Sequence, residues 1–381
     1  TPADLSARQV ALTVVDMVMQ SDKDMAGDWL DGHFRRFSIP WRDRSLITEM
    51  VYGTIRRTIT LDWLMSHYTF HRVKDHLLKN ILRLGLYQIY FLDKVPSYAV
   101  VNEMVQITKD RMGEPKARFA NAVLRRACAR DIPLDEKSIA KRPGMEALHA
   151  LSIAHAMPQW LLERWQKVYT PEEVRQICAA SNGTPQIFLR VNRRKTDGQE
   201  LKSLLEQEGA HAEITGNQGI LKIKPAKSIE SIESFRKGLF FIQDPTTLRI
   251  VDFMQPSPTD VILDMCAAPG GKAFYLEERV GSGGNITALE REPARLRLAM
   301  DNAQRLGSEV RWVGADALQY QTPGKFDKIL VDAPCSNQGV LARRVEARLR
   351  LAPEKIERLR RIQKELLEKA LELAGHSGEV Y

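Results

Sequence analysis

The sequence predicts a multi-domain chain: an all-α helical bundle, then a small α+β domain, then an α/β domain built on a parallel sheet. Three observations predict it. The 381 residues exceed what a single core of roughly 150 residues encloses. Apolar residues recur at helical spacing in the first third, at strand spacing near the middle, and in alternating blocks of both kinds thereafter. At the head of the alternating region a glycine-rich turn carries the chain from a strand into a helix, as ligand-binding α/β sheets require.

The elements follow in chain order. Val10, Val14 and Val18, then Leu46, Met50 and Ile55, then Leu77, Ile81, Leu84 and Ile89 fall on helical stripes. Ile39-Pro40, Val95-Pro96 and the stretch from Gly113 to Pro115 break the helices between them, because proline and glycine end helical runs. Residues 1–135 are therefore expected to form the bundle. Residues 131–144, with Pro133 and Pro143 among charged side chains, have the composition of a linker. Next come a helix carrying Trp160, Leu161 and Trp165 on one face and another that Pro171 opens and Ser181-Asn182-Gly183 closes. The two tryptophans read as core. Strands are expected at 187–191, 212–214, 220–223 and 239–242 with a helix inside 198–209, which makes 145–243 a helical linker plus a small α+β domain. From 261 onward, strands at 261–264, 286–290, 310–313 and 328–332 alternate with helices at 274–280 and 293–306, and this alternation specifies a parallel sheet. A long charged helix at 353–374 and the start of a strand at Gly378 complete the third domain, 244–381. Ending on a strand, that domain is expected to be truncated at its C-terminus.

Composition narrows the function. Hydrophobic residues at 44% and charged residues at 27% are globular values. No run approaches the roughly 18 apolar residues of a membrane span, and the opening residues carry Asp4 and Asp16 instead of a secretion signal. Cys128, Cys178, Cys266 and Cys335 are too scattered for a zinc cluster or a disulfide framework. A cytoplasmic protein without a metal is expected. The net charge of +8 favours a polyanionic partner; it concentrates in residues 1–150, with 23 basic and 18 acidic side chains, and in residues 343–370, with 10 and 5.

The chemistry gathers at strand ends. Val261 to Lys272 reads Val-Ile-Leu-Asp-Met-Cys-Ala-Ala-Pro-Gly-Gly-Lys, a buried strand, a turn and a helix start. It presents backbone N–H groups to a ligand but lacks both the dinucleotide and the phosphate-loop spacings. Glu290 ends the second strand, 26 positions after Asp264, where a carboxylate can accept from a ribose diol. Asp316, in Val-Gly-Ala-Asp-Ala, follows the third strand and is placed for an adenine amino group. Together they describe a nucleoside site without polyphosphate, which suits S-adenosylmethionine. The fourth strand delivers Asp332-Ala-Pro-Cys335-Ser to the same edge, where a cysteine is a candidate for covalent or proton-transfer chemistry or a packing residue.

Residues 264–272 together with Asp332 to Ser336 resemble the RNA cytosine-5 methyltransferases. Leu189 to Asn192 and Phe241 to Pro245 resemble that family's approach to its catalytic domain. Val51-Tyr-Gly-Thr-Ile-Arg56, Leu84-Gly-Leu-Tyr-Gln88, Pro96 to Asn102 and Asn121 to Arg125 resemble a NusB-type helical domain. The combination is similar to the bacterial 16S ribosomal RNA methyltransferases of RsmB/Sun/Fmu type.

The resemblance implies a NusB-like bundle, an RRM-like α+β domain and a Rossmann-like methyltransferase domain, acting as a monomer on 16S ribosomal RNA. It implies that Cys266, Ala267, Ala268, Pro269, Gly270, Gly271, Lys272, Glu290, Asp316 and Asp332 hold S-adenosylmethionine or position the base, and that Cys335, Asp332 and Lys272 serve catalysis. In the family a thiol attacks C6 of a cytosine flipped out of the stack, C5 takes the methyl group, and a Pro-Cys-Ser cysteine assists release. The attacking thiol belongs to a Thr-Cys-Ser motif absent from these 381 residues and expected beyond Tyr381; Cys335 matches the release cysteine. Ser336-Asn-Gln-Gly339 departs from the family's usual Ser-Gly-x-Gly. A catalytically inactive NusB-like RNA-binding module, and a cytosine-5 methyltransferase of RNA or DNA that attacks with Cys335, are the alternatives.

The basic run from Arg343 to Arg361 is expected to grip RNA phosphates, above all Arg343, Arg344, Arg348 and Arg350, which precede the helix. Glu354 with Arg358, Glu357 with Arg361 and Glu365 with Lys369 are spaced i,i+4, as on a solvated helix face.

Overall fold

Helices make up most of the described chain up to Thr184. Ser6 accepts from the Gln9 amide while Gln9 reaches back to the Ser6 amide, closing a capping box on helix Ala7–Gln20 and satisfying two otherwise orphaned donors. The helices Ala26–Arg36, Trp41–Arg56, Thr58–Tyr68, His76–Phe91, Ser97–Met112 and Glu114–Ala129 follow. Their stripes meet in one core that includes Val10, Val14, Ile47, Met50, Ile81 and Leu84. Gly53 is required there: a Cβ would lie 1.9 Å from the Tyr87 ring, so the Val-Tyr-Gly and Leu-Tyr-Gln segments fit only together.

The computed structural model describes residues 5–37, 39–129, 131–216, 219–225, 227–281 and 284–381; residues 1–4, with Asp4, and residues 38 and 130 of the expected bundle lie outside that set. Chain contacts divide the molecule into two units, residues up to Thr184 with Asn337–Leu351, and Pro185–Ser336 with Ala352–Tyr381. Residues 131–144 do not behave as a linker. Ile132 packs into the bundle core, and helix Glu136–Ala140 buries Ile139 completely, because two well-placed apolar residues suffice to dock a charged segment. Trp165 is buried and Trp160 packs beside it, as core.

The segment 337–351, which sequence places within 244–381, packs in the helical unit. Val345 joins the bundle core and Leu341 and Leu351 join the cluster around Trp165. Two of its arginines are not available to RNA. Arg348 is completely buried; its guanidinium donates to the carbonyls of Arg56 (3.1 Å), Ser181 (3.0 Å), Ala156 (3.4 Å) and Leu341 (3.4 Å) and to Asn182 Oδ1 at 2.8 Å. Three of those carbonyls lie at the carboxyl ends of helices Trp41–Arg56, Ala147–His155 and Pro171–Asn182, where unpaired C=O groups and helix dipoles favour a cation. Arg350 donates to the carbonyls of Val18 and Asp24. We expect Arg348→Met to lower the stability of this unit by about 3 kcal/mol, since it strands several buried acceptors, and Arg348→Lys to recover only part. Calorimetric unfolding checks it, with the exposed Arg344→Ala as an unaffected control.

The second unit contains both sheets. Strands β1 (Ile187–Val191), β2 (His211–Ile214), β3 (Ile220–Lys224) and β4 (Phe240–Ile242) form an antiparallel sheet in the order β2-β3-β1-β4. Helix Gly198–Gln207 covers it through Leu201 and Leu205. Strands β5 (Val261–Asp264), β6 (Asn285–Glu290), β7 (Arg311–Gly314), β8 (Phe326–Leu330) and β9 (Ala374–Val380) form a parallel sheet in the order β7-β6-β5-β8-β9. Helices Gly271–Val280, Pro293–Leu306 and Pro353–Leu373 accompany it. β9 starts four residues before the expected Gly378, because the ladder shifts register between Phe326 and Lys328 and a bulge absorbs the extra residues. Arg190, on β1, bridges the sheets: it pairs with Glu278 and donates to Gln243 Oε1 at 2.9 Å. Arg305 donates to the carbonyls of Phe235 and Phe240. These bonds explain why the Leu189 to Asn192 and Phe241 to Pro245 segments precede the parallel domain.

Candidate cofactor and catalytic site

The order of the parallel sheet reverses at β5, so the crevice at the carboxyl ends of β5, β6 and β8 is where an open α/β sheet binds its ligand. The turn after β5 continues the ladder on both sides: the Met265 amide donates to Leu330 O and the Ala267 amide to Leu289 O, each at 2.9 Å. Ala268-Pro269 is a cis peptide. Gly270 then opens helix Gly271–Val280 at φ 108°, a conformation that glycine adopts without strain, and a Cβ there would stand 2.3 Å from the Phe274 ring. No side chain caps this helix, which leaves its first N–H groups for an anion.

Acidic groups line the strand ends. Asp264, the last residue of β5, is completely buried, and neither carboxylate oxygen has a hydrogen-bond partner of good geometry. Burial, and then the negative charge of Asp332, push its carboxyl up to about 7; Lys272 and the Cys266 amide oppose this only in part. Glu290, at the end of β6, is buried, accepts from the Glu292 amide at 2.9 Å and faces Arg295 at 3.4 Å. Asp316 accepts from the Leu318 amide at 3.0 Å and lies 3.7 Å from Arg291. Cys266 is half-buried, and burial followed by Asp264 and Glu290 pushes its thiol up to about 12, so it stays protonated at neutral pH.

Two sequence-distant motifs meet. Lys272 Nζ, on the helix after the glycine turn, lies 2.5 Å from Asp332 Oδ2, beyond β8. Lys272 is mostly buried and Asp332 half-exposed, so the lysine fixes the carboxylate while an edge of it faces solvent. Beside them is a cavity of about 330 Å³ lined by Cys266, Glu290, Asp316 and Pro334, and by Lys355, Arg358, Leu359 and Ile362 of helix Pro353–Leu373. Cys335 is exposed on the loop beyond Asp332, and Gln363 Nε2 holds that loop by donating to Pro334 O at 2.9 Å.

The structure thus brings Cys266, Glu290 and Asp316 to one cavity and pairs Lys272 with Asp332. Ala267, Ala268, Pro269, Gly270 and Gly271 shape the turn and do not line that cavity. Sequence reasoning placed Lys355 and Arg358 within the basic run 343–361, paired Arg358 with Glu354, and assigned no role to Arg295 or Gln363. Only Arg295, five residues after Glu290 on the next helix, left a signal in spacing.

The raised Asp264 carboxyl makes stability depend on pH. The folded state keeps a proton on Asp264 between about pH 4 and 7, where the unfolded chain does not. Its contribution therefore falls as pH rises through that window and levels off above about 7. Asp264→Asn is expected to remove the fall and to be more stable than the parent at pH 8 by a few kcal/mol, but not at pH 4. Urea unfolding at the two pH values checks this.

Two carboxylates at neighbouring strand ends, a glycine turn lacking phosphate-loop spacing, an orphaned buried Asp264 carboxylate and a cavity of nucleoside size fit S-adenosylmethionine. These features define a Rossmann-like S-adenosylmethionine-dependent methyltransferase. Residues 251–381 match the family described as 16S rRNA methyltransferase RsmB/F, residues 5–129 the NusB family, and residues 157–228 the ferredoxin-like domain of RsmF/B-like methyltransferases. A probable ribosomal RNA small subunit methyltransferase B of Bacillus subtilis is 31% identical over 348 residues, 88% of this chain and 75% of the relative. The ribosomal RNA small subunit methyltransferase B of Pseudomonas putida is 32% identical over 335 residues, 86% and 74% of the two chains. This chain belongs to the RsmB/F family of 16S rRNA methyltransferases. The crystal structure of PH0851, 21% identical, covers 99% of this chain and 85% of that one with a TM-score of 0.81, a likeness of fold. A methyltransferase homolog from Pyrococcus horikoshii, 27% identical, covers 62% of this chain and 76% of that one with a TM-score of 0.53.

Proposed function

We propose that the protein methylates C5 of a cytosine in 16S ribosomal RNA, in the cytoplasm and as a monomer, through a transient bond between a cysteine sulfur and C6. The observation that carries this reading is the Lys272–Asp332 ion pair, which sets the Pro-Cys loop beside the cofactor turn. Bound S-adenosylmethionine supplies an electrophilic methyl group; Glu290 and Asp316 would hold its ribose and adenine. Asp332, oriented by Lys272, accepts from the amino group of the flipped cytosine and passes to N3 a proton drawn from solvent at its exposed edge, so that N3 holds the electron pair displaced from the C5–C6 double bond as the thiolate adds at C6. That addition makes C5 nucleophilic. Once C5 carries the methyl group, Cys335 assists removal of the C5 proton, and the pair left behind expels the thiolate from C6. Residues 1–135 and 145–243 are assigned to holding the RNA, with no metal involved.

Labelled methyl transfer to unmodified small-subunit RNA, followed by digestion to nucleosides, tests the reading. 5-Methylcytidine is the expected product of the natural gene product. A methyl group on N4 or on a ribose would overturn the C5 assignment. Binding of cofactor and RNA with no transfer would favour a binding module.

A further inference from the structure

We propose that Lys355 and Arg358 form a clamp at the cofactor cavity for an RNA phosphate flanking the target nucleotide, an inference that rests on the RNA reading above. Spaced i,i+3, they share one face of helix Pro353–Leu373. Both are exposed and both line the cavity that holds Glu290 and Asp316.

The ion pairing of this helix differs from the i,i+4 pattern its sequence suggests. Glu357 is taken by Arg360 at 3.1 Å, Lys364 meets Glu368 and Lys369 meets Glu372. Among the described residues, Lys355 and Arg358 meet no ion-pair or hydrogen-bond partner, even though Glu354 stands four positions before Arg358. The cavity's own carboxylates do not need them, because Glu290 faces Arg295 and Asp316 faces Arg291. Glu292 also lines the cavity and shares Arg291 with Asp316, so four cations face three carboxylates and the wall keeps one positive charge in surplus, with Lys355 and Arg358 the two cations not engaged. The carboxylate of the cofactor's amino-acid end already has the uncapped amino terminus of helix Gly271–Val280. The remaining anion is the backbone of the RNA. The target base, assigned to Asp332 beside this cavity, leaves the stack by rotation about its own backbone, which carries its flanking phosphates to the cavity's edge. A guanidinium and an ammonium on one helix face suit that group, the first through its planar fork of donors and the second as a point charge.

The test uses the natural protein saturated with S-adenosylmethionine and a small-subunit RNA fragment containing its target. Binding is followed from low to moderate salt for the parent, Lys355→Ala, Arg358→Ala, the double variant and Arg358→Lys. We expect the double variant to bind RNA about tenfold to a hundredfold more weakly, with the slope of log affinity against log salt reduced by about one to two. Cofactor affinity by calorimetry should stay within about twofold, and Arg358→Lys should keep most of the salt slope. A weaker cofactor affinity with an unchanged salt slope overturns the clamp and gives these residues to the cofactor. Unchanged RNA affinity overturns it outright. Failure of the parent itself to bind RNA at low salt overturns the underlying RNA reading, a result distinct from either.

Discussion

Asp332→Ala is expected to lower the rate of methyl transfer by about a thousandfold or more, roughly 4 kcal/mol of transition-state stabilisation, while the fold is retained. The half-exposed carboxylate itself contributes little burial, and stranding Lys272 costs about 1 to 3 kcal/mol, which lowers stability without unfolding the domain. The loss falls on chemistry because Asp332 is held 2.5 Å from Lys272 and is the acceptor assigned to the flipped cytosine. Without it, N3 of the adding ring has no group to protonate it, and Lys272 is left mostly buried without its counter-ion. A second consequence is measurable independently. Asp332 is the charge that, after burial, raises the Asp264 carboxyl, so in the variant that carboxyl should titrate lower and the fall of stability with pH, which begins at the same pH, should be smaller and end at lower pH. Asp332→Asn separates the carboxyl's chemistry from its shape: an equally inactive Asn variant assigns the effect to the proton-carrying carboxyl. Single-turnover transfer with saturating cofactor and RNA reads the chemical step, and a rate within tenfold of the parent would remove Asp332 from the base-holding role.

The fold was legible where one physical pattern decided it. The helices up to residue 129 carry apolar stripes, Pro40, Pro96 and Gly113 mark three of their boundaries, and the parallel sheet follows from buried strands alternating with amphipathic helices. Where a residue's meaning depends on its distant neighbours, local pattern misleads. Arg348 reads as one more cation in a basic run, yet its guanidinium lies among the carbonyls of three helix ends, which are brought together only by the fold. Ile132 and Ile139 look isolated in a charged stretch and are buried. β9 begins at Ala374-Gly375-His376-Ser377, which contains no β-branched residue, because pairing with β8 and not propensity sets its start.

The candidate site divides in the same way. The glycine turn, Glu290 and Asp316 are legible because each sits at the carboxyl end of a strand whose order can be read along the chain. The pairing of Lys272 with Asp332, 60 positions apart, needs β5 and β8 to be neighbours. The inward face of Lys355 and Arg358 depends on the rotation of one helix by a fraction of a turn. Charge spacing alone predicts the wrong partner for Arg358.

Cys335→Ala is expected to leave methyl transfer to a first RNA molecule intact and to trap the protein covalently on it, with turnover reduced by two orders of magnitude or more. After transfer, C5 of the cytosine carries both a proton and the methyl group, and C6 carries the attacking sulfur. The C6–S bond breaks only when the C5 proton is removed and its electron pair expels the thiolate. Cys335 is exposed on the loop that also carries Asp332, whose carboxylate is assigned to the base, and that loop is tethered through Pro334 to Gln363. Alanine removes the sulfur without adding bulk, so addition and methylation proceed while elimination stalls. A denaturing gel of the natural gene product with cofactor and labelled RNA should show a shifted, RNA-bearing band for the variant and little for the parent. The three roles open to Cys335 give three different results. If it were the attacking thiol, the variant would show neither adduct nor methyl transfer. If it were a packing residue, the variant would turn over at the parent's rate with no adduct. Only a thiol needed after methylation gives one methyl group per protein with the RNA still attached.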